Sequence, residues 1–133
     1  MTAEKVETYG EPPNLVGLIC EALLAEQYWH RGELSDSANV VWLRFKDSWY
    51  RLFFEFSAVN WRASDKGPEA YEMPELEAEV RIVDLADQFG LVGDALSSYE
   101  AAPIEGGSEV RFEFRSGKSI AFRSVNDATS YTA

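Results

Sequence analysis

The sequence predicts an α+β domain: a mostly antiparallel sheet of about five strands, with an N-terminal helix packed on one face and a second short helix. Three observations lead there. Leu15, Leu18, Ile19, Ala22 and Leu23 recur at helical spacing. Residues 39–58 and 110–122 alternate apolar and polar side chains, the period of a half-buried strand. The order helix, hairpin, strand, short helix, hairpin is that of helices set against an antiparallel sheet, not of alternating βαβ units.

The first element is expected over Leu15–His30. Pro12 and Pro13 keep the entry extended, Asn14 can cap, and Gly32 offers a stop beyond the last turn. Residues 39–58 read as a hairpin about Asp47-Ser48. Val41, Leu43 and Phe45 alternate on one strand and Tyr50, Leu52, Phe54 and Phe56 on the next. A two-residue turn there pairs Phe45 with Tyr50 and Leu43 with Leu52, which puts both apolar sets on one face. The other face then holds Trp42 across from Phe53, Arg44 across from Arg51 and Lys46 across from Trp49.

Residues 61–76 contain Gly67, Pro68 and Pro74 and read as an irregular connection. Ala78, Val80 and Ile82 alternate with Glu77, Glu79 and Arg81, a strand with one wet face. Asp84 can cap a short helix through Phe89 that Gly90 ends, and 91–104 has no clear period. In the last hairpin Val110, Phe112 and Phe114 face Ile120 and Phe122. Both sets are even-numbered, so only a three-residue loop with Gly117 at positive φ aligns them. That register pairs Phe112 with Ile120, Val110 with Phe122 and Glu109 with Arg123. The expected core unites Val41, Leu43, Phe45, Leu52, Phe54, Val80, Ile82, Phe112, Ile120 and Phe122 with Ile19 and Leu23 of the helix.

The chain of 133 residues reads as a single domain, 1–133, with loose ends at 1–11 and 126–133. Its 46% hydrophobic and 14% aromatic content exceeds that of a disordered acidic chain. No apolar run is long enough to span a bilayer, and the N-terminus lacks a basic-then-apolar leader pattern, so a cytoplasmic location is expected. The single cysteine, Cys20, cannot form an internal disulfide.

Charge is unevenly spread. Residues 65–109 carry twelve of the 23 acidic side chains and two bases, Lys66 and Arg81; the formal charge of the whole chain is −11. Such a chain is a poor ligand for nucleic acid or for an anionic membrane, and neither partner is expected.

Catalytic signatures are sparse. His30 is the only histidine and, at the end of the expected helix, suits the helix dipole better than a triad. Cys20 reads as a buried thiol. Glu69, Glu72, Glu75, Glu77 and Glu79 crowd into one stretch, and a carboxylate pair is all that glycoside hydrolysis needs. Their alternation instead suggests a solvated edge, and neither a calcium loop nor a phosphate loop is present, so no metal or cofactor is implied. The sequence leans away from an enzyme.

Two binding readings remain. In the first, the acidic 65–109 surface, led by Glu69, Glu72, Glu75, Glu77 and Glu79, meets a basic protein partner. A non-catalytic inhibitor, or an immunity-type protein of a bacterial toxin system, would use such a field to speed encounter. In the second, Trp42, Arg44, Trp49, Arg51, Phe53 and Trp61 form an aromatic and cationic sheet face that holds an apolar or anionic small molecule. That face is otherwise a second core layer, covered by the first helix or by 61–76, or a homodimer contact.

Overall fold

The computed structural model describes residues 6–133, and strands dominate it. In chain order they are β1 (Thr8–Tyr9), β2 (Cys20–His30), β3 (Glu33–Phe45), β4 (Ser48–Glu55), β5 (Ala58–Ser64), β6 (Tyr71–Met73), β7 (Ala78–Asp84), β8 (Leu96–Ile104), β9 (Gly107–Phe114), β10 (Ser119–Val125) and β11 (Ala128–Thr132). A 3₁₀ turn, Pro74–Leu76, precedes β7, and a single short helix, α1 (Leu85–Phe89), follows it. The expected α+β class is therefore wrong. The protein is a two-sheet β structure, with a seven-stranded sheet ordered β1-β5-β4-β3-β2-β7-β6 and a four-stranded sheet ordered β11-β10-β9-β8. No helix is long and apolar enough to cross a membrane among the described residues.

The expected N-terminal helix is the interior strand β2, paired with β3 on one side and β7 on the other. A register shift between Cys20 and Ala22 puts Glu21 out of step, and past it both faces of the strand carry apolar side chains. Those two features counterfeit a helical spacing. Helix propensity is worth only tenths of a kcal/mol per residue for Ala, Leu and Glu, less than two flanking ladders and a buried face supply. Gly32 ends no helix: Arg31 and Gly32, both at positive φ, form the two-residue turn between β2 and β3. His30 is accordingly an exposed strand end with no helix dipole beside it.

The β3–β4 hairpin turns at Lys46-Asp47, one residue earlier than expected, and pairs Phe45 with Ser48, Leu43 with Tyr50 and Val41 with Leu52. A shift of two in the pairing sum leaves each side chain on its expected face but changes its neighbour. Phe56-Ser57 and Asn126-Asp127 make further turns with positive φ at both residues, the geometry that matches strand twist. The first of these opens β5 out of the expected 61–76 connection. The second adds β11, so 126–133 is not a loose end. Residues 91–104 resolve into a turn and β8. At the other end, β1 pairs in parallel with β5 within the expected loose 1–11; Met1–Lys5 lie outside the described residues.

The last hairpin forms as read, with Phe112 opposite Ile120, Val110 opposite Phe122, Glu109 opposite Arg123, and Gly117 at φ 93°. The short helix also forms: the Asp84 carboxylate accepts the Asp87 N–H, and Gly90 closes it in the left-handed region.

The core lies between the sheets. Leu23, Val41, Leu43, Phe45, Leu52 and Trp61 on the large sheet meet Val110, Phe112, Ile120 and Phe122 on the small one. Trp61 stands edge-on to both Tyr99 and Phe112 across the gap. At one corner the sheets are joined by backbone: Leu96 N–H donates to Leu18 C=O, and Cys20 N–H to Asp94 C=O. At another, Asp36 accepts the Thr129 N–H and so ties β3 to β11. Three expected core residues sit elsewhere. Ile19 is exposed, and Val80 and Ile82 lie on the opposite face of the large sheet, because β7 enters the ladder with Val83 beside Ala25 on the core side.

A candidate binding corner and an aromatic outer face

The large sheet has one face on the core and one turned away, and β7 carries chemistry on both. On its core-side parity, but beyond the reach of the small sheet, Glu79 pairs across to Trp29 on β2 and to Glu72 on β6. Two carboxylates directly opposite one another repel, so this pairing opposes the edge rather than holding it. Arg81 moderates it. Its Nε–H donates to Glu79 Oε1 at 3.0 Å, and its guanidinium lies over the Trp29 ring, 4.0 Å from the centroid.

The 3₁₀ turn delivers the third acid. Pro74 opens the turn, Glu77 leaves it in the left-handed region at φ 51°, and the Glu77 N–H bonds back to Pro74 C=O. The Glu77 carboxylate accepts Arg31 Nε–H at 2.8 Å while Arg31 N–H donates to Glu77 C=O, fastening the turn to the β2–β3 loop. The result is a shallow depression of about 240 Å³ lined by Trp29, Glu72, Pro74, Glu77 and Glu79. Glu69 and Glu75 are exposed and do not line it. Among the described residues Glu69, Glu72 and Glu75 form no ion pair.

The remaining acids of 65–109 do not join this corner. Asp84 caps α1, Asp94 binds Ser116 of the β9–β10 loop, and Glu109 takes both Arg111 and Arg123 at 3.1 Å. Glu100 lies on β8, a strand that packs through Tyr99 on Trp61 of β5, toward the far end of the large sheet from β6. The acids of 65–109 are thus spread over several parts of the fold rather than gathered on one surface. Trp29, Arg31 and Arg81 were not among the expected site residues. Trp29 was hidden by its assignment to a helix, whereas Arg81, as one of two bases in an acidic stretch, was a visible signal.

The opposite face of the large sheet carries the aromatic and arginine set. Trp42 stands across from Arg51, and Arg44 across from Trp49. Each arginine lies over an indole, Arg51 at 5.5 Å from the Trp42 centroid and Arg44 at 5.8 Å from that of Trp49, while the two indoles meet edge to face at 6.3 Å. The expected Arg44–Arg51 pairing does not occur; the two-residue register change replaces it with two arginine–tryptophan pairs. Phe53 shares the face, opposite Asn60. Trp61 does not; it is buried on the core side, opposite Leu52. The segment after β5 crosses part of this face, since a Cβ at Gly67 would stand 2.8 Å from the Trp49 ring.

Three donors on the face, Trp42 Nε1, Arg44 Nε and Arg51 Nε, are buried without a hydrogen-bond partner. Glu26 lies beside this indole and Arg51. Burial raises its pKa, with Trp42 and Arg51 opposing, and the indole N–H stays outside hydrogen-bonding geometry with it. No group of three or more His, Cys, Asp and Glu side chains converges to hold a metal ion among the described residues. Burial, with Asp94, Asp84 and Glu21 nearby, pushes the Cys20 thiol up to about 12. No protein family, curated protein or solved structure matches this chain.

Proposed function

We propose that the Trp29 corner binds a basic segment of a protein partner, and that the chain acts as a small non-catalytic binding protein. The observation that carries this is the gathering of Glu72, Glu77 and Glu79 in one depression beside the half-buried Trp29. A lysine or arginine side chain entering there meets the indole and three carboxylates, of which Glu77 and Glu79 already pair with Arg31 and Arg81 and Glu72 is unpaired among the described residues, a combination that favours a cation over a neutral group. The repulsive Glu72–Glu79 pairing supports the same reading. It costs folding free energy, and an incoming cation relieves it. An acidic edge strand also discourages edge-to-edge aggregation, which is the competing account of these residues.

A deca-lysine peptide separates the two. Its binding, followed by Trp fluorescence, should weaken at least tenfold in a Glu72→Lys/Glu77→Lys/Glu79→Lys variant. A Glu100→Lys/Glu105→Lys/Glu113→Lys variant makes the same change in net charge elsewhere and should bind nearly as the parent does. Equal losses in both would mean that net charge alone attracts the peptide and that the corner is only a solvated edge.

A further inference from the structure

The outer face of the large sheet presents one cross-strand row that complements itself. Reading across the ladder, Asp84 on β7 is beside Leu24 on β2, Leu24 beside Trp42 on β3, Trp42 beside Arg51 on β4, and Arg51 beside Arg62 on β5. The row is thus acidic at one end, apolar in the middle and basic at the other. Arg51 and Arg62 are like charges directly opposite each other, and neither forms an ion pair among the described residues.

We infer that this face docks on a second copy of the chain, face to face about a two-fold axis that lies in the interface, parallel to β3 and above Trp42. That rotation sets Arg62 of each copy against Asp84 of the other and Arg51 against Leu24 with Glu26 one pleat along, while Trp42, buried beneath Arg51 and Trp49 of its own chain, lies under the axis. Both ends of the row are neutralised by one operation, as an isologous interface requires. Strand directions coincide in the two copies, which is the aligned mode of sheet packing. The apolar contribution comes from Leu24, Val40, Phe53 and Ile82, all half-buried on this face.

The face is modest in size. Five strands span about 19 Å and three pleats along them about 20 Å, so a dimer buries roughly 800 Å² in all, below the range of tight interfaces. Two copies of charge −11 also repel at low salt. The dimer is therefore weak and concentration-dependent, and stronger at 0.15 M than at 0.01 M salt. It uses the opposite face from the Trp29 corner and is independent of that proposal.

Sedimentation velocity on the full chain, from 1 µM to 500 µM, tests it. The expected result is a reversible monomer–dimer equilibrium. Arg62→Glu should weaken it at least tenfold. Arg115→Glu, an equal charge change in the β9–β10 loop, should alter it less than threefold. Adding Asp84→Asn, which keeps a capping side chain, should recover most of the Arg62→Glu loss. Circular dichroism melts establish that each variant is folded. A monomer throughout the range overturns the inference, including the case in which inorganic phosphate raises the melting temperature and so shows the arginines serving a small anion. Equal effects of Arg62→Glu and Arg115→Glu overturn it as well.

Discussion

The Arg81 guanidinium lies over the Trp29 ring, 4.0 Å from its centre, while also holding the Glu79 carboxylate. One cation thus guards the indole and neutralises a neighbour of the acidic corner. Arg81→Ala should expose the ring, shift its emission to the red and tighten binding of deca-lysine by adding an unpaired carboxylate. Because the contact is largely exposed, the stability cost should stay below about 1 kcal/mol in denaturant melts.

Phe112 is fully buried where the sheets meet, against Trp61, Tyr99 and Phe122. Phe112→Ala should cost roughly 3–5 kcal/mol, a large share of what a domain of this size has. Urea unfolding measures it, and a loss under about 1 kcal/mol would contradict the packing described.

Two glycines of the small sheet should rank differently. A Cβ at Gly117 meets nothing within 4 Å, so Gly117→Val costs only the positive φ, about 1–2 kcal/mol. A Cβ at Gly107 would stand 1.6 Å from Ser124 C=O, and Gly107→Ala must move backbone. Thermal melts should place Gly107→Ala as the more damaging change.

Burial raises the Glu26 pKa above its ordinary value of 4.5, with Trp42 and Arg51 opposing. A folded-state pKa above the unfolded one favours the folded state when the group is protonated. That contribution is complete below the unfolded value and is lost as pH rises through the folded one. Glu26→Gln should therefore be at least as stable as the parent at pH 7, and should lack the parent's share of stability gained on acidification. Urea melts at pH 7 and pH 5 test both statements.

With its pKa near 12, the Cys20 thiol is protonated at ordinary pH. It should not react with a disulfide reagent at pH 8 until the protein unfolds. Rapid labelling of the native protein would show that β2 opens locally at its start.

Which parts of this fold could be read in advance depended on whether local signals agreed. In the last hairpin, turn chemistry, apolar parity and the Glu109–Arg123 pair all specify one register, and that register forms. Asp84 and Gly90 bracket α1 for the same reason. β2 failed because a bulge at Glu21 and apolar residues on both faces imitate a helix, and only the flanking strands, distant in sequence, decide otherwise. The turns at Lys46-Asp47 and Phe56-Ser57 lack the usual Asn-Gly signal, so the first is expected one residue late and the second not at all. In the site the glutamates were visible as composition. That Glu72, Glu77 and Glu79 gather beside one indole while Asp84, Asp94 and Glu109 do not join them depends on pairings that no local window contains.

The joint between Leu18–Cys20 and Asp94–Leu96 bears on how fast this protein acquires its structure. It ties together segments from the first and last thirds of the chain, so its closure entropy must be met before its hydrogen bonds contribute anything. The β9–β10 hairpin needs no such closure. Refolding should therefore be slow for a chain of this length, milliseconds to seconds, with the rate-limiting barrier set by topology. Gly117→Val should then slow refolding in proportion to its cost, whereas destabilising the joint should chiefly hasten unfolding. Stopped-flow chevrons of the two variants would show the asymmetry as a change in opposite limbs.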